Sequence, residues 1–269
     1  MKDFSGGIAV ITGGASGIGL GLAHRLAEEG MTVILVDVEN GALESAVAEL
    51  TVKGHSAHGR ICDVSDRDQV EELAEETFKE FGAVNFLANN AGVVARHKSW
   101  GNLDDWDWVL GVDLMGVIYG VHSFVPRMLE SGEPGHVMNT ASTAGLLAFP
   151  SIGSYNVAKR GVVALSETLH HELAATQLSV SVLCPGMVDT NIHRSERNRK
   201  GVTEPAEMAT AGEGNKEQLS PAEVANIVVG SIQKGIFWIL PHTHYGEQAL
   251  EQAKRRVAGG SPVLPIVDR

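Results

Sequence analysis

Short hydrophobic runs alternate along the chain with longer segments in which apolar and polar residues are mixed. Seven short runs are strand candidates, and they cover residues 8–12, 33–36, 57–61, 84–88, 136–140, 179–184 and 237–240. Between them apolar residues recur every three or four positions, as in amphipathic helices, most clearly over residues 17–29, 66–81 and 154–175. This alternation predicts an α/β fold, with a doubly wound parallel sheet of seven strands between two layers of helices.

Two segments depart from this alternation. Residues 189–220 follow the sixth strand and are polar, with several Gly, Arg and Glu residues. Long loops in compact domains are usually functional or disordered, and ligands of doubly wound sheets bind at this edge. A substrate lid and a disordered insertion therefore both stay open. The tail, residues 259–269, contains two prolines, and we expect it to be extended and to pack on another subunit. The alternation of strands and helices along the chain predicts one domain over residues 1–269.

Composition narrows the class of protein. With 43% hydrophobic and 20% charged residues the chain has the composition of a globular protein. A net charge of −12 argues against nucleic acid or an anionic membrane as the main partner. Cys62 and Cys184 lie in apolar runs, which favours buried free thiols in a reducing compartment. No uninterrupted apolar run reaches the roughly 18 residues of a membrane span, and the polar start lacks a signal-peptide core. We therefore expect a cytoplasmic protein.

A glycine-rich loop links the first predicted strand directly to a helix. Its sequence T-G-G-A-S-G-I-G has the spacing G-x-x-x-G-x-G, which is looser than the G-x-G-x-x-G of many dinucleotide-binding proteins. Glycines let the backbone approach a pyrophosphate, and the N–H groups of the following helix point at it. The alternative is a loop that is merely flexible. The expected cofactor contacts in this loop are Gly13, Ser16, Gly17, Ile18 and Gly19.

Asp37 ends the second predicted strand. An acidic residue at this place can accept hydrogen bonds from the two hydroxyls of an adenosine ribose, and it repels a 2′-phosphate. Neither Ser16 nor Val38 is basic, so the sequence favours NAD over NADP. The alternative is that Asp37 only caps the following helix.

Further candidate cofactor contacts follow the third, fourth and sixth strands, whose carboxyl ends face the same crevice. The backbone after the sixth strand can hold a nicotinamide carboxamide. Asn90 serves equally well as a brace of its own loop, so both roles stay open. The candidates are Asp63, Val64, Asn90, Ala91, Gly92, Pro185, Gly186, Val188 and Thr190.

Tyr155 and Lys159 are the candidate catalytic pair. A free phenol has a pKa of about 10 and needs a nearby cation before it can act as a base at neutral pH. Lys159 lies one helical turn further on the same face. A Tyr-x-x-x-Lys pair alone is common on solvated helix faces, but here it accompanies the glycine loop and Ser142. We therefore expect hydride transfer with a nicotinamide cofactor, in which Tyr155 moves the hydroxyl proton and Ser142 orients the oxygen.

With these motifs in order, the sequence resembles the short-chain dehydrogenase/reductase family, of the classical type, over essentially the whole chain. The resemblance rests on T-G-x-x-x-G-x-G, the N-N-A-G run at 89–92, Ser142 before Y-x-x-x-K, and the P-G pair at 185–186. It implies a Rossmann-like sheet of order 3-2-1-4-5-6-7, NAD(P)-linked oxidation of alcohols or reduction of carbonyls, and a homodimer or homotetramer. It also implies that Lys159 binds the nicotinamide ribose and lowers the pKa of Tyr155.

Asp113 is a departure from the family pattern. The family usually has an asparagine in V-N-L-x-G, whose main-chain carbonyl holds a water joined to the active-site lysine, and this chain has V-D-L-M-G. The carbonyl is retained, but the carboxylate can pair with a buried Lys159 and redistribute charge along the proton relay. Asp113 motivates the alternative function, a catalytically weak NAD(H)-binding sensor or assembly protein.

The residues that flank the catalytic set predict a hydrophobic alcohol or ketone as substrate. His97 and Trp100 either border the substrate pocket or pack their loop. His242 and His244 lack further ligands at metal-binding spacing, so we predict no metal site. A finer similarity, to bacterial dehydrogenases of benzylic alcohols in lignin-derived aryl ethers, rests on residues 1–4, 124–128 and 134–136. The flanking residues are Thr143, Leu146, Leu147, Phe149 and Met187.

Overall fold

The computed structural model describes residues 3–199, 201–202 and 218–266, which form one parallel sheet with helices on both faces. The strands are β1 Ile8–Thr12, β2 Thr32–Asp37, β3 Ala57–Ile61, β4 Phe86–Asn89, β5 Gly135–Thr140, β6 Leu178–Leu183 and β7 Trp238–Ile239. The helices are α1 Gly17–Glu28, α2 Asn40–Val52, α3 Arg67–Phe81, α4 Leu103–Leu110, α5 Gly116–Ser131, α6 Gly153–Glu172, α7 Pro221–Gln233 and α8 Thr243–Val257. The strand order is β3-β2-β1-β4-β5-β6-β7, which confirms the predicted fold.

Several strand boundaries differ from the predicted ones by one or two residues. β4 begins at Phe86 rather than at residue 84, and the side chain of Asn85 just before it accepts from the Ile8 N–H at 3.0 Å. Cys62 and Cys184 do not lie within strands, since each follows the last residue of one. Both are buried free thiols, as expected.

The sheet is buried on both faces, as parallel sheets require. Val10 and Ile11 are both 0% exposed and point to opposite faces of β1. Ile11 packs with Leu22 of α1 and Val228 of α7, whereas Val10 belongs to the layer formed with α3 and α5. The two layers leave the carboxyl ends of the strands as the open edge of the fold.

A π-helical turn, Gly111–Met115, joins α4 to α5 into one long helix, Leu103–Ser131. Among the described residues it is the one helix that is long and apolar enough to cross a membrane by length and composition. Asp113 interrupts its apolar positions, so the sequence did not predict such a segment. The fold buries 44% of its most apolar window, and the π turn carries Asp113 towards α6.

The described part of the C-terminal tail runs back along α8. The side chain of Gln252 donates to the Val263 carbonyl at 2.6 Å, and that of Gln248 donates to the Ile266 carbonyl at 3.0 Å. The tail therefore packs on its own helix up to residue 266. Packing on another subunit stays a prediction, and residues 267–269 lie outside the described part.

Candidate active site

A cavity of about 1180 Å³ opens at the carboxyl ends of the strands. The glycine loop, the ends of β2 to β6 and the segment after β6 all line it. It contains every predicted cofactor and catalytic residue except Gly19 and Asp113. Residues that are distant in sequence therefore meet in one site.

Close packing explains the glycines of the loop after β1. Gly13 has φ 63°, and a Cβ there would lie 2.9 Å from the Cα of Ala91. Gly17 has φ 53°, and its Cβ would lie 3.0 Å from the Cγ2 of Thr190. Gly19 lies behind the loop instead of in the cavity, since its Cβ would lie 2.0 Å from the Gly13 carbonyl oxygen. The loop thus stays narrow, and α1 starts at its edge with free N–H groups.

Asn90 braces the ends of three strands. Its backbone N–H donates to the Thr12 hydroxyl at 2.8 Å, and its side-chain amide donates to the Thr12 carbonyl at 3.0 Å. The Thr140 hydroxyl donates to its Oδ1 at 3.1 Å. The bracing role is therefore present in the structure, and Asn90 also lines the cavity.

The carboxylate of Asp37 is held at the end of β2 by backbone N–H groups. Its Oδ2 accepts from Ala15 and its Oδ1 accepts from Glu39, both at 3.1 Å. Burial raises the pKa of Asp37, although these hydrogen bonds oppose the rise. The N-cap of α2 is Glu39, so Asp37 is not the N-cap residue of that helix.

The described part of the predicted lid is ordered. Residues Asn191–Asn198 form a 3-10 helix, and the Ser195 hydroxyl accepts from the Val94 N–H at 3.0 Å and donates to the Val94 carbonyl at 3.3 Å. Arg199 pairs with Asp105 of α4 at 2.6 Å. Residues 189–199 therefore lie across the cavity. Residue 200 and residues 203–217 of the predicted lid lie outside the described part.

Ser142 follows β5 and caps a short turn. Its hydroxyl oxygen accepts from the Ala144 N–H at 3.1 Å and lies 3.5 Å from the Pro185 carbonyl. The Thr143 N–H donates to the same carbonyl at 2.9 Å. The loops after β5 and β6 are thus joined beside the catalytic serine candidate.

Tyr155 and Lys159 lie on the first turns of α6, with the lysine Nζ atom 5.5 Å from the centroid of the tyrosine ring. Lys159 is only 2% exposed and donates to the Thr140 carbonyl at 3.1 Å. Burial raises the pKa of Tyr155, and Asp113 adds to the rise, whereas Lys159 and a hydrogen bond with Ser142 lower it. The net direction is upward, so the phenol is protonated at neutral pH in the free protein.

Asp113 lies behind the pair in the π turn and is fully buried. Its Oδ2 lies 3.1 Å from the Lys159 Nζ atom, and its Oδ1 accepts from the Val93 N–H at 2.8 Å. Burial lowers the pKa of Lys159, but Asp113 and Tyr155 raise it above its usual range. Burial also raises the pKa of Asp113, and Lys159 opposes that rise, so each side chain favours the charged form of the other. A Cβ on Gly92 would touch both charged groups at 3.4 and 3.5 Å.

The substrate end of the cavity differs in part from the prediction. Thr143, Phe149 and Met187 line it. Leu146 and Leu147 do not, because the turn Thr143–Gly145 directs them into the interior. Residues that the sequence did not single out for this wall are Val94, Trp108, Ile152 and Tyr245.

Tyr245 reaches this wall from α8 and is 3% exposed. Its ring meets Phe149 edge to face at 6.5 Å. A Cβ on Gly186 would lie 2.7 Å from its Cε2 atom. The sequence signal for this residue is an aromatic side chain near the start of an otherwise polar helix. No sequence motif links it to Gly186.

His97 and Trp100 do not line the cavity. His97 shares a 2.7 Å hydrogen bond with the Ser154 hydroxyl at the start of α6 and packs edge-on against Trp106. Trp100 is 82% exposed. Packing of the loop therefore accounts for His97.

Among the described residues no three His, Cys, Asp or Glu side chains lie close enough together to bind a metal ion.

The cavity fits a dinucleotide. Side chains on Gly13 or Gly17 would fill the narrow loop where a pyrophosphate would lie, and Asp37 presents a fixed carboxylate at the end of β2. The catalytic candidates lie at the other side of the same cavity. The protein is thus built as a dinucleotide-dependent oxidoreductase. The family model described as short chain dehydrogenase matches residues 7–201, so the chain belongs to the short-chain dehydrogenase/reductase family.

Several proteins similar to this chain are described as dehydrogenases. A C alpha-dehydrogenase of Sphingobium sp. strain SYK-6 is 35% identical over 265 residues, which covers 92% of this chain and 84% of the relative. A 1-deoxy-11-beta-hydroxypentalenate dehydrogenase of Streptomyces avermitilis is 37% identical over 72% of this chain and 74% of the relative. The crystal structure of a short-chain dehydrogenase/reductase from Burkholderia phymatum in complex with NAD has a TM-score of 0.91 and 37% identity, with both chains fully covered. The predicted family and the finer similarity to C-alpha dehydrogenases are confirmed.

Proposed function

We propose that this protein is an NAD-dependent dehydrogenase that interconverts a hydrophobic secondary alcohol and its ketone, with Tyr155 as the acid/base. The observation that carries the proposal is that Tyr155, Lys159 and Ser142 line the same cavity as the glycine loop and Asp37. A dinucleotide site alone would serve many functions. A tyrosine beside a buried lysine adds a group that can move a proton.

The proton chemistry follows from the side chains. In alcohol oxidation the phenolate of Tyr155 accepts the hydroxyl proton, and in ketone reduction the phenol donates it. Lys159 stabilises the phenolate, and the Ser142 hydroxyl donates a hydrogen bond to the substrate oxygen. The nicotinamide cofactor, when bound, accepts or supplies the hydride.

Binding of the cofactor is assigned to four parts of the cavity. The glycine loop would hold the pyrophosphate, and Asp37 would hold the adenosine ribose. Lys159 would bind the nicotinamide ribose, and the backbone from Pro185 to Thr190 would hold the carboxamide. The fixed carboxylate of Asp37 supports NAD over NADP, and the NAD complex of the Burkholderia phymatum protein is consistent with this choice.

The substrate class follows from the wall beside the catalytic residues. Phe149, Met187, Trp108 and Tyr245 provide apolar and aromatic surface there, which favours a hydrophobic or aromatic substrate over a small polar one. The similarity to a C alpha-dehydrogenase supports benzylic secondary alcohols as the first substrates to test.

We also infer a single domain over residues 1–269 that assembles as a homodimer or homotetramer. Sedimentation of the purified protein tests the assembly.

The test is turnover of purified protein with NAD⁺ or NADP⁺ and secondary alcohols from short aliphatic to bulky benzylic. Formation of reduced nicotinamide is followed by absorbance, with Ser142→Ala as the control for the catalytic site. We expect turnover with NAD⁺ that rises with the size of the apolar substituent and falls in the control. Tight NADH binding without turnover on any alcohol or its ketone would contradict the enzyme and favour the sensor.

A further inference from the structure

The segment after β6 brings an arginine to the end of the cavity where Asp37 lies. The Nε atom of Arg197 donates to Glu39 Oε2 at 3.1 Å, and its Nη2 donates to Glu39 Oε1 at 2.5 Å. Both oxygens of one carboxylate therefore bind one guanidinium. The two residues are 158 positions apart in the chain.

Glu39 belongs to the same cluster as the proposed ribose ligand. Its backbone N–H donates to Asp37 Oδ1 at 3.1 Å, and its side chain also accepts from the Asn198 amide at 3.0 Å. Asp37, Glu39 and Arg197 all line the cavity, together with Ser16 and Val38. The adenosine end of the site thus holds a cation that the sequence around β2 does not contain.

The guanidinium of Arg197 already donates hydrogen bonds to other groups of the protein. Besides the two bonds to Glu39, its Nη1 donates to the Asn191 carbonyl at 3.3 Å and to the Arg194 carbonyl at 2.9 Å. Burial raises the pKa of Glu39, but hydrogen bonds from Arg197 and Asn198 outweigh it and leave the pKa below its usual range. Glu39 is therefore an anion at neutral pH and cancels the charge of Arg197.

A free arginine beside an adenosine ribose is the group that accommodates a 2′-phosphate, because the guanidinium offers paired donors to phosphate oxygens. We propose that Glu39 is a second determinant of cofactor choice, which occupies Arg197 and so excludes the 2′-phosphate of NADP. The proposal rests on the function proposed above, in which Asp37 faces the adenosine ribose.

Removal of the Glu39 charge has two effects, and both favour binding of NADPH. It removes one negative charge beside the ribose, and it frees Arg197 to bind a phosphate or to offset Asp37. One bidentate, charge-assisted pair supports a change in relative affinity of about tenfold to a hundredfold. We expect this change in the ratio of NADPH to NADH affinity without any change in Asp37.

The test measures binding, so it does not depend on turnover. NADH and NADPH are titrated by fluorescence into the wild type, Glu39→Gln, Glu39→Ala, Arg197→Ala and the double variant Glu39→Gln/Arg197→Ala. Glu44→Gln is the matched control, because it removes one carboxylate from α2 and does not line the cavity. Circular dichroism checks that each variant is folded.

We expect both Glu39 variants to shift preference towards NADPH by about tenfold or more, and we expect the double variant to lose that gain. A ratio unchanged in both Glu39 variants, or a gain that survives loss of Arg197, would overturn the assignment while leaving the dehydrogenase intact. Failure of the wild type to bind either nucleotide would overturn the proposed function and this inference together.

Discussion

The Oδ2 atom of Asp113 lies 3.1 Å from the Nζ atom of Lys159, and the two side chains are 0% and 2% exposed. The pair connects the π turn between α4 and α5 to helix α6, which carries Tyr155. A buried charge is costly unless it is paired and hydrogen-bonded. Here the Val93 N–H donates to Asp113, and Lys159 donates to the Thr140 carbonyl. Lys159 therefore lies between the carboxylate and the Tyr155 ring.

Asp113→Asn should move the pH dependence of alcohol oxidation to lower pH. Asp113 raises the pKa of Tyr155, whereas Lys159 lowers it, so without the carboxylate the phenol ionises more readily. The asparagine can still accept from the Val93 N–H. The measurement is kcat/KM against pH, with Asp68→Asn, an exposed aspartate of α3, as the control for net charge. A profile identical to that of the wild type would show that the carboxylate does not influence the relay.

His136 should make the fold sensitive to acid. It is buried between Ser179 and Ser181, whose hydroxyls lie 2.7 Å from its two ring nitrogens, and burial lowers its pKa to about 3. Because the folded pKa lies below the unfolded value of about 6.5, this contribution is complete above pH 6.5 and is lost as the pH falls towards 3. Between pH 7 and pH 5 the loss is about 2 kcal/mol.

Urea unfolding at several pH values tests this contribution. His136→Asn should be less stable than the wild type at neutral pH, because two buried hydroxyls lose their partner. Its free energy of unfolding should nevertheless fall less steeply below pH 6.5. His171→Asn, on the exposed end of α6, should keep the slope of the wild type. The same slope in His136→Asn would mean that other groups cause the acid sensitivity.

Gly186→Ala should weaken both stability and cofactor binding. The new Cβ would lie 2.7 Å from Tyr245 Cε2 and 3.0 Å from His242 Cγ, and the displaced loop would lose the 3.0 Å bond from the Gly186 N–H to His242 Nδ1. Overpacking of this kind costs about 1–3 kcal/mol. Urea unfolding and NADH titration measure the two effects.

The double variant Gly186→Ala/Tyr245→Leu should recover part of the loss, because the smaller side chain makes room for the methyl group. Gly230→Ala is the matched control, since nothing lies within 4 Å of its Cβ position on α7. Wild-type stability in Gly186→Ala would show that the contact with Tyr245 does not constrain the loop.

The sheet and most of the cavity could be predicted because their signals are local. Strand and helix periodicities are properties of neighbouring residues, and the carboxyl ends of parallel strands necessarily share one edge. The position of Asp113 was also readable from its motif, but its distance from Lys159 depends on the π turn. A π turn has one residue more than a turn of α-helix, and the periodicity of the sequence does not predict it.

The remaining site residues depend on long-range packing. The pairing of Glu39 with Arg197 joins two charged residues 158 positions apart, and each alone resembles an ordinary surface charge. Gly19 shares the motif of Gly13 and Gly17 but faces the Gly13 carbonyl, because the helix turns the positions of the loop to different sides. Tyr245 reaches the cavity only because α8 docks on Gly186, which no local pattern specifies.

The central claim is that Tyr155 moves the substrate proton. The most direct measurement compares kcat with NAD⁺ and a benzylic secondary alcohol for the wild type and Tyr155→Phe, with NADH affinity measured in parallel. Tyr119→Phe on α5 is the matched control, since it removes a phenol that packs outside the cavity. We predict that Tyr155→Phe lowers kcat by about 10²–10⁴-fold while NADH still binds, and that Tyr119→Phe keeps its turnover. Turnover of Tyr155→Phe at the rate of the wild type would contradict the account.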